Sequence, residues 1–169
     1  VLLKNENQLL PLDAKSLKSI AIIGPNADQV QFGDYTWSRN NKDGVTPLQG
    51  IKNRVNKNTA IHYAKGCSLT SLDTSGIAEA VEAAKNSEVA VIFGGSASAA
   101  LARDYKSSTC GEGFDLNDLN LTGAQSQLIR EVYRTGTPVI LVLVTGKPFV
   151  IEWEKNNLPA ILVQWYAGE

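Results

Sequence analysis

The chain has 169 residues, 43% of them hydrophobic and 20% charged, and a formal net charge of −1. That length is enough for one domain with its own core, and the composition is ordinary for a globular fold. The charge offers no basic footprint for nucleic acid or an anionic membrane. The longest apolar run, VILVLV at 139–144, is far too short to cross a bilayer.

The sequence holds no methionine, so it is expected to be a piece of something longer or a processed product. No secretory leader is visible at its start. The two cysteines, Cys67 and Cys110, form neither a metal pattern nor a disulfide-dense scaffold. Each is expected as a small buried residue.

Residues 1–18, VLLKNENQLLPLDAKSLK, read as an arm and not as a core element. Pro11 among Leu9, Leu10 and Leu12 argues against a helix. Residues 19–23, SIAII, form an Ile-rich run that stops at Gly24-Pro25, which predicts a buried strand and a turn. The GPNAD segment that follows lacks any phosphate-binding glycine spacing. Residues 32–39, FGDYTWSR, read as a loop carrying aromatics. Tyr35 and Trp37 stand two apart, so an extended backbone presents both rings on one side. Either the rings stack on the flat face of a sugar, or they pack beneath the loop.

Thr46 starts a helix with Pro47 in its first turn and Leu48, Ile51 and Val55 on one face. Residues 60–64, AIHYA, predict a strand. Its His62 is given no catalytic role. Residues 75–86 predict an amphipathic helix with Ile77, Ala80, Val81 and Ala84 on its apolar face. Residues 88–93, EVAVIF, predict a buried strand ended by Gly94-Gly95.

The segment 96–120 has no convincing period, and loops that long in a compact domain are functional or disordered. It contains Gly111, Glu112 and Gly113, then Phe114 and Asp115. Glycines on both sides free a loop tip to push one side chain into a cleft. The plainer alternative is a polar surface loop with a solvated glutamate. Thr122 is expected to cap a helix from Gly123, running over 122–135 with Leu128, Ile129 and Val132 inward and ending at Gly136. A strand at 139–144, a short helix at 147–156 with Trp153, and a strand at 160–165 follow.

This alternation of strands and helices predicts an α/β fold with right-handed crossovers and a mostly parallel sheet of about five to six strands. Ligands gather at the carboxyl ends of such strands. Gly24, Gly66, Gly94 and the terminal WYAG all fall there, as do the loops 32–39 and 96–120.

The runs GEGFD, LNLTGAQ, TGTPVILVLVTGKP and LPAILVQWYAGE occur in that order. VLLKNENQLLPL, IAIIGPNAD and FGDYTW…VTPLQGI precede them. Together they resemble the carboxy-terminal α/β sandwich domain of glycoside hydrolase family 3 over nearly the whole chain. The resemblance implies a three-layer α/β/α sandwich. It implies a retaining, exo-acting enzyme of β-glucosidase or β-xylosidase type, acting on a β-linked oligosaccharide or glycoside. Glu112 matches the family's general acid/base and Asp115 a residue that holds the loop. Leu116 stands where the family most often has arginine, and Thr122 where it often has proline, which bears on local loop packing.

The resemblance further implies that the nucleophile is an aspartate on a preceding (β/α)8 barrel. Residues 1–18 are then a linker arm from a missing upstream domain. Residues 19–169 are the sandwich domain, expected to be truncated at its carboxy-terminal end and prone to associate through an exposed edge or apolar patch. Retaining hydrolysis needs its two carboxyl groups about 5–5.5 Å apart, so the isolated fragment is expected to be inactive. The first step needs a protonated acid, which burial or a neighbouring carboxylate favours.

Tyr35 and Trp37 match positions that line the outer sugar subsite, and are candidate substrate contacts. So are Arg103 and Asp104, which either position Glu112 or form a surface ion pair. No cofactor, metal, nucleic acid or membrane partner is implied, and a periplasmic or secreted setting is favoured over a cytoplasmic one. Cys67 and Cys110 fall on the same rim, which leaves a disulfide open. Asn120-Leu121-Thr122 fits both a glycosylation acceptor and a helix cap. The competing readings are a non-catalytic carbohydrate-binding or scaffold domain, which the retained Glu112 disfavours, and a nucleotide-binding domain, which the missing glycine motif disfavours.

Overall fold

The computed structural model describes residues 1–37, 43–98, 109–113 and 117–168. Among them the strands are β1 (Leu2–Asn5), β2 (Ser19–Ile23), β3 (Ala60–Ala64), β4 (Val89–Gly95), β5 (Val139–Thr145) and β6 (Ala160–Trp165). The helices are α1 (Pro47–Arg54), α2 (Ile77–Lys85), α3 (Gln125–Tyr133) and α4 (Glu152–Asn157). The six strands form one sheet in the order β1-β6-β5-β4-β2-β3. All neighbours are parallel except β1, which runs antiparallel to β6.

The central strands are apolar along their length because both faces are covered. Side chains alternate across the sheet. Ala21, Ile23, Ala90, Ile92, Leu141 and Leu143 join one core beneath α2 and α3, with Ala80, Ala84, Leu128 and Val132 opposite. Ile20, Ile22, Val89, Val91, Phe93 and Ile140 join the other, capped by Leu48 of α1 and by Leu9, Leu10, Leu12 and Leu17. The result is an α/β/α sandwich with a mostly parallel six-stranded sheet.

The lead-in differs from a plain arm. Its first residues make β1, with Leu2 opposite Leu162 and Asn5 opposite Ala160. Leu2 and Leu3 stay 53% exposed, so this edge strand buries too little to show an apolar pattern. The Asn5 side chain then pairs with Leu10, donating to its carbonyl and accepting from its N–H, both at 2.9 Å. That turns the following leucines onto the sheet face.

Two helix starts also differ. Helix α1 begins as expected, with the Gln49 N–H donating to Thr46 Oγ1 at 3.1 Å and Pro47 in the first turn. Thr122, however, caps nothing. Its hydroxyl donates to the Leu69 carbonyl at 2.7 Å, and α3 starts at Gln125. The cause is tertiary: the segment tucks under the loop after β3, and a Cβ at Gly123 would lie 2.6 Å from the Ser71 carbonyl. Helix α4 starts at Glu152 rather than near Lys147. Lys147 instead donates its N–H to Thr145 Oγ1 at 3.0 Å, and Pro148 disfavours helical backbone at the residue before it.

Strand ends set the direction of the rim loops. Gly24 (φ +113) and Gly95 (φ +123) end β2 and β4 in conformations that L side chains rarely adopt. A Cβ at either would run into a neighbouring backbone carbonyl, that of Phe93 or Val144. The chain therefore turns sharply over the carboxyl ends of the sheet.

Candidate active site

The carboxyl rim is built on a buried polar layer. Tyr166, just past β6, bonds through its hydroxyl to Ser96 Oγ at 2.7 Å. Ser96 Oγ donates to Thr145 Oγ1 at 3.0 Å, which donates to the Lys147 carbonyl at 2.7 Å. The ends of β4, β5 and β6 are thus tied side by side. Burial pushes the Tyr166 phenol far above its ordinary value, so it stays neutral and donates. Asn26, at the end of β2, donates to the Ser96 carbonyl at 3.2 Å and accepts from Gln31 at 3.0 Å.

On this layer the long loop closes back on its own start. The Thr109 N–H donates to the Ala97 carbonyl, and the Ala97 N–H to Thr109 Oγ1, both at 3.1 Å. Ser98 and Cys110 form a parallel bridge. Lys147 Nζ donates to the Thr109 carbonyl at 2.6 Å, and desolvation holds its ammonium below the usual lysine value. The loop root is consequently fixed two residues before Glu112.

Gly111 (φ +145) and Gly113 (φ +69) then carry Glu112 out on an exposed tip. Both flanking glycines take up positive φ, the freedom that the spacing GEG leads one to expect. Glu112 does not stand alone. Its backbone N–H donates to Asp34 Oδ2 at 2.9 Å, and its Oε2 accepts a short hydrogen bond from the Tyr35 hydroxyl. That loop is in turn anchored to the end of the sheet. Phe32 bridges Ala167, and the Gly33 N–H donates to the Ala167 carbonyl at 3.2 Å.

Sequence-predicted residues sort clearly. Glu112, Tyr35 and Trp37 share the rim loops, and the aromatic pair is not packed beneath its loop: Tyr35 is 77% and Trp37 96% exposed. Arg103 and Asp104 lie outside the described residues, as do Phe114, Asp115 and Leu116. Cys67 and Cys110 are free, buried thiols. Among the described residues no cluster of His, Cys, Asp or Glu is arranged to hold a metal, and no helix is long and apolar enough to cross a membrane.

Sequence reasoning missed Asp34, Ser96, Lys147, Tyr166 and Gln125. Asp34 had a signal, since it lies between Gly33 and Tyr35 in a loop already singled out. Gln125 had none. Its side chain is buried, accepts from the Gly95 N–H at 2.8 Å, and donates to the carbonyls of Gly95 and Leu69, both at 3.1 Å.

The profile of the Glycosyl hydrolase family 3 C-terminal domain matches residues 1–169. A beta-xylosidase of Formosa agariphila is 41% identical over 99% of this chain and 23% of its own length. A periplasmic beta-glucosidase of Salmonella typhimurium is 35% identical, again over 99% of this chain and 23% of its own. Among solved structures, a beta-glucosidase from Listeria innocua in complex with glucose superposes with a TM-score of 0.79 at 26% identity, covering 98% of this chain and 21% of that one. The chain thus spans under a quarter of the length of these relatives.

Proposed function

The chain belongs to glycosyl hydrolase family 3 as its carboxy-terminal domain, and on that basis we propose that Glu112 is the general acid/base of a retaining β-glycosidase. The substrate class is a β-linked glucoside or xyloside, as the names of the relatives suggest. The setting is periplasmic or secreted, in keeping with the Salmonella relative's name.

In this reading an aspartate on a (β/α)8 barrel attacks the anomeric carbon. Glu112 gives its proton to the glycosidic oxygen as the bond to the leaving sugar breaks. The Glu112 carboxylate then takes a proton from water as that water attacks the glycosyl-enzyme. Trp37 and the ring of Tyr35 receive the departing sugar, since aromatic faces pack well on its apolar side. Residues 1–18 lead from the barrel into the sandwich and supply its edge strand β1 and the leucines packed on one sheet face.

What supports the reading most is one observation: a glycine-flanked carboxylate stands exposed on the carboxyl rim of the sheet, beside two exposed aromatics. An acid that must meet a sugar held by another domain has to project in this way. The 169-residue chain by itself is expected to show no turnover of aryl glycosides, because the second carboxylate must sit about 5–5.5 Å away.

The test is Glu112→Gln in an enzyme joining this domain to its barrel. Rates on glycosides with poor leaving groups should fall by roughly 10²–10⁴-fold, and those on dinitrophenyl glycosides far less. Added azide, which needs no general base, should restore turnover of the dinitrophenyl substrates. Equal, small losses on every substrate would instead fit a scaffold role.

A further inference from the structure

Glu112 is held at both ends by one neighbouring loop. Its N–H is fixed on Asp34 Oδ2 at 2.9 Å and its carboxyl accepts from the next residue, Tyr35. Among the described residues nothing crowds the outer side of the tip: a Cβ placed on Gly113 would meet no atom within 4 Å. Two glycines of positive φ flank the acid, so without these bonds the tip would sample many orientations. Asp34 also keeps its second oxygen, Oδ1, buried without a hydrogen-bond partner among the described residues. A carboxylate retained at that desolvation cost points to a demand other than stability. The loop carrying both residues is pinned to the end of β6 through Phe32 and Gly33, which makes it a firm base.

We infer that Tyr35 is a positioning residue, whose hydroxyl orients the Glu112 carboxyl toward the leaving oxygen while Asp34 fixes the backbone that carries it. The inference rests on the reading of Glu112 as acid/base. An acid delivers its proton only from within hydrogen-bond reach, and a small misplacement costs rate and not binding. The Tyr35 phenol lies above its ordinary value of 10.0, chiefly through its hydrogen bond to Glu112, so it remains a donor across the working pH range.

The experiment is a double-mutant cycle of Tyr35→Phe and Glu112→Gln in the enzyme containing the barrel. Phenylalanine keeps the ring and removes the donor. The kcat on alkyl glycosides is expected to fall roughly tenfold, with KM within about twofold and dinitrophenyl glycosides nearly unaffected. In the Glu112→Gln background the same substitution should do nothing more, because its target is gone. Parental rates in Tyr35→Phe, or an equal loss with and without the Glu112 carboxyl, would overturn the inference and leave the acid/base reading standing. If Glu112→Gln shows no leaving-group discrimination, the acid/base reading itself fails.

A second arm keeps the contact testable in either case. In the enzyme containing the barrel, with ¹³Cζ-labelled tyrosine, Glu112→Gln should bring the Tyr35 ionisation down toward its ordinary value. An unchanged titration would overturn the proposed contact.

Discussion

Gln125 occupies a helix position where the pattern would accept leucine, yet it is 1% exposed and bonded to the backbone of a strand end and of a loop. It serves Gly95, the last residue of β4, and Leu69, in the loop after β3. Replacing it with leucine keeps the volume and strands these groups in a dry interior. Each buried group left unpaired costs about 1–3 kcal/mol. Gln125→Leu is therefore expected to lose about 3 kcal/mol in urea unfolding, whereas helical spacing alone would favour an apolar residue there.

Strands were more legible than helix starts. The runs at 19–23, 60–64 and 160–165 coincide with β2, β3 and β6, because β-rich apolar stretches bounded by turn residues carry their own limits. Helix α1 was equally plain, since its Thr46 cap and Pro47 act through local backbone geometry. Thr46→Ala should cost about 1 kcal/mol, read from the shift in thermal or urea midpoint. The start of α3 was not legible. Thr122 has the residue type of a cap, but a carbonyl 53 positions away claims its hydroxyl. Likewise β1 is a strand only because β6 offers it an open edge.

Across the domain, burial of ionisable groups sets the response to alkali. Burial raises the Cys67 thiol from 9.0 to about 11 in the folded state. Above pH 9 the unfolded chain loses that proton first, so the folded state binds more protons and stability falls as pH rises. The contribution is complete below pH 9 and gone by about pH 11, a loss of about 2 kcal/mol. Tyr166 acts in the same sense from near pH 10 upward. Urea midpoints measured across pH 8–11 should decline, and Cys67→Ala should flatten the decline between about 9 and 11.

The α/β alternation, its parallel sheet and the glycine-hinged tip carrying Glu112 could be read from the order of residues, and the three-layer sandwich from the family resemblance. The first three follow from hydrophobic period, turn chemistry and backbone freedom, which act over a few residues at a time. What Glu112 meets could not be read that way. Asp34 and Tyr35 lie 78 and 77 positions away in the chain, and the Tyr166–Ser96–Thr145 layer joins three strand ends. A hydrogen bond depends on where two atoms finally sit, and for residues so far apart only the assembled sheet brings them together.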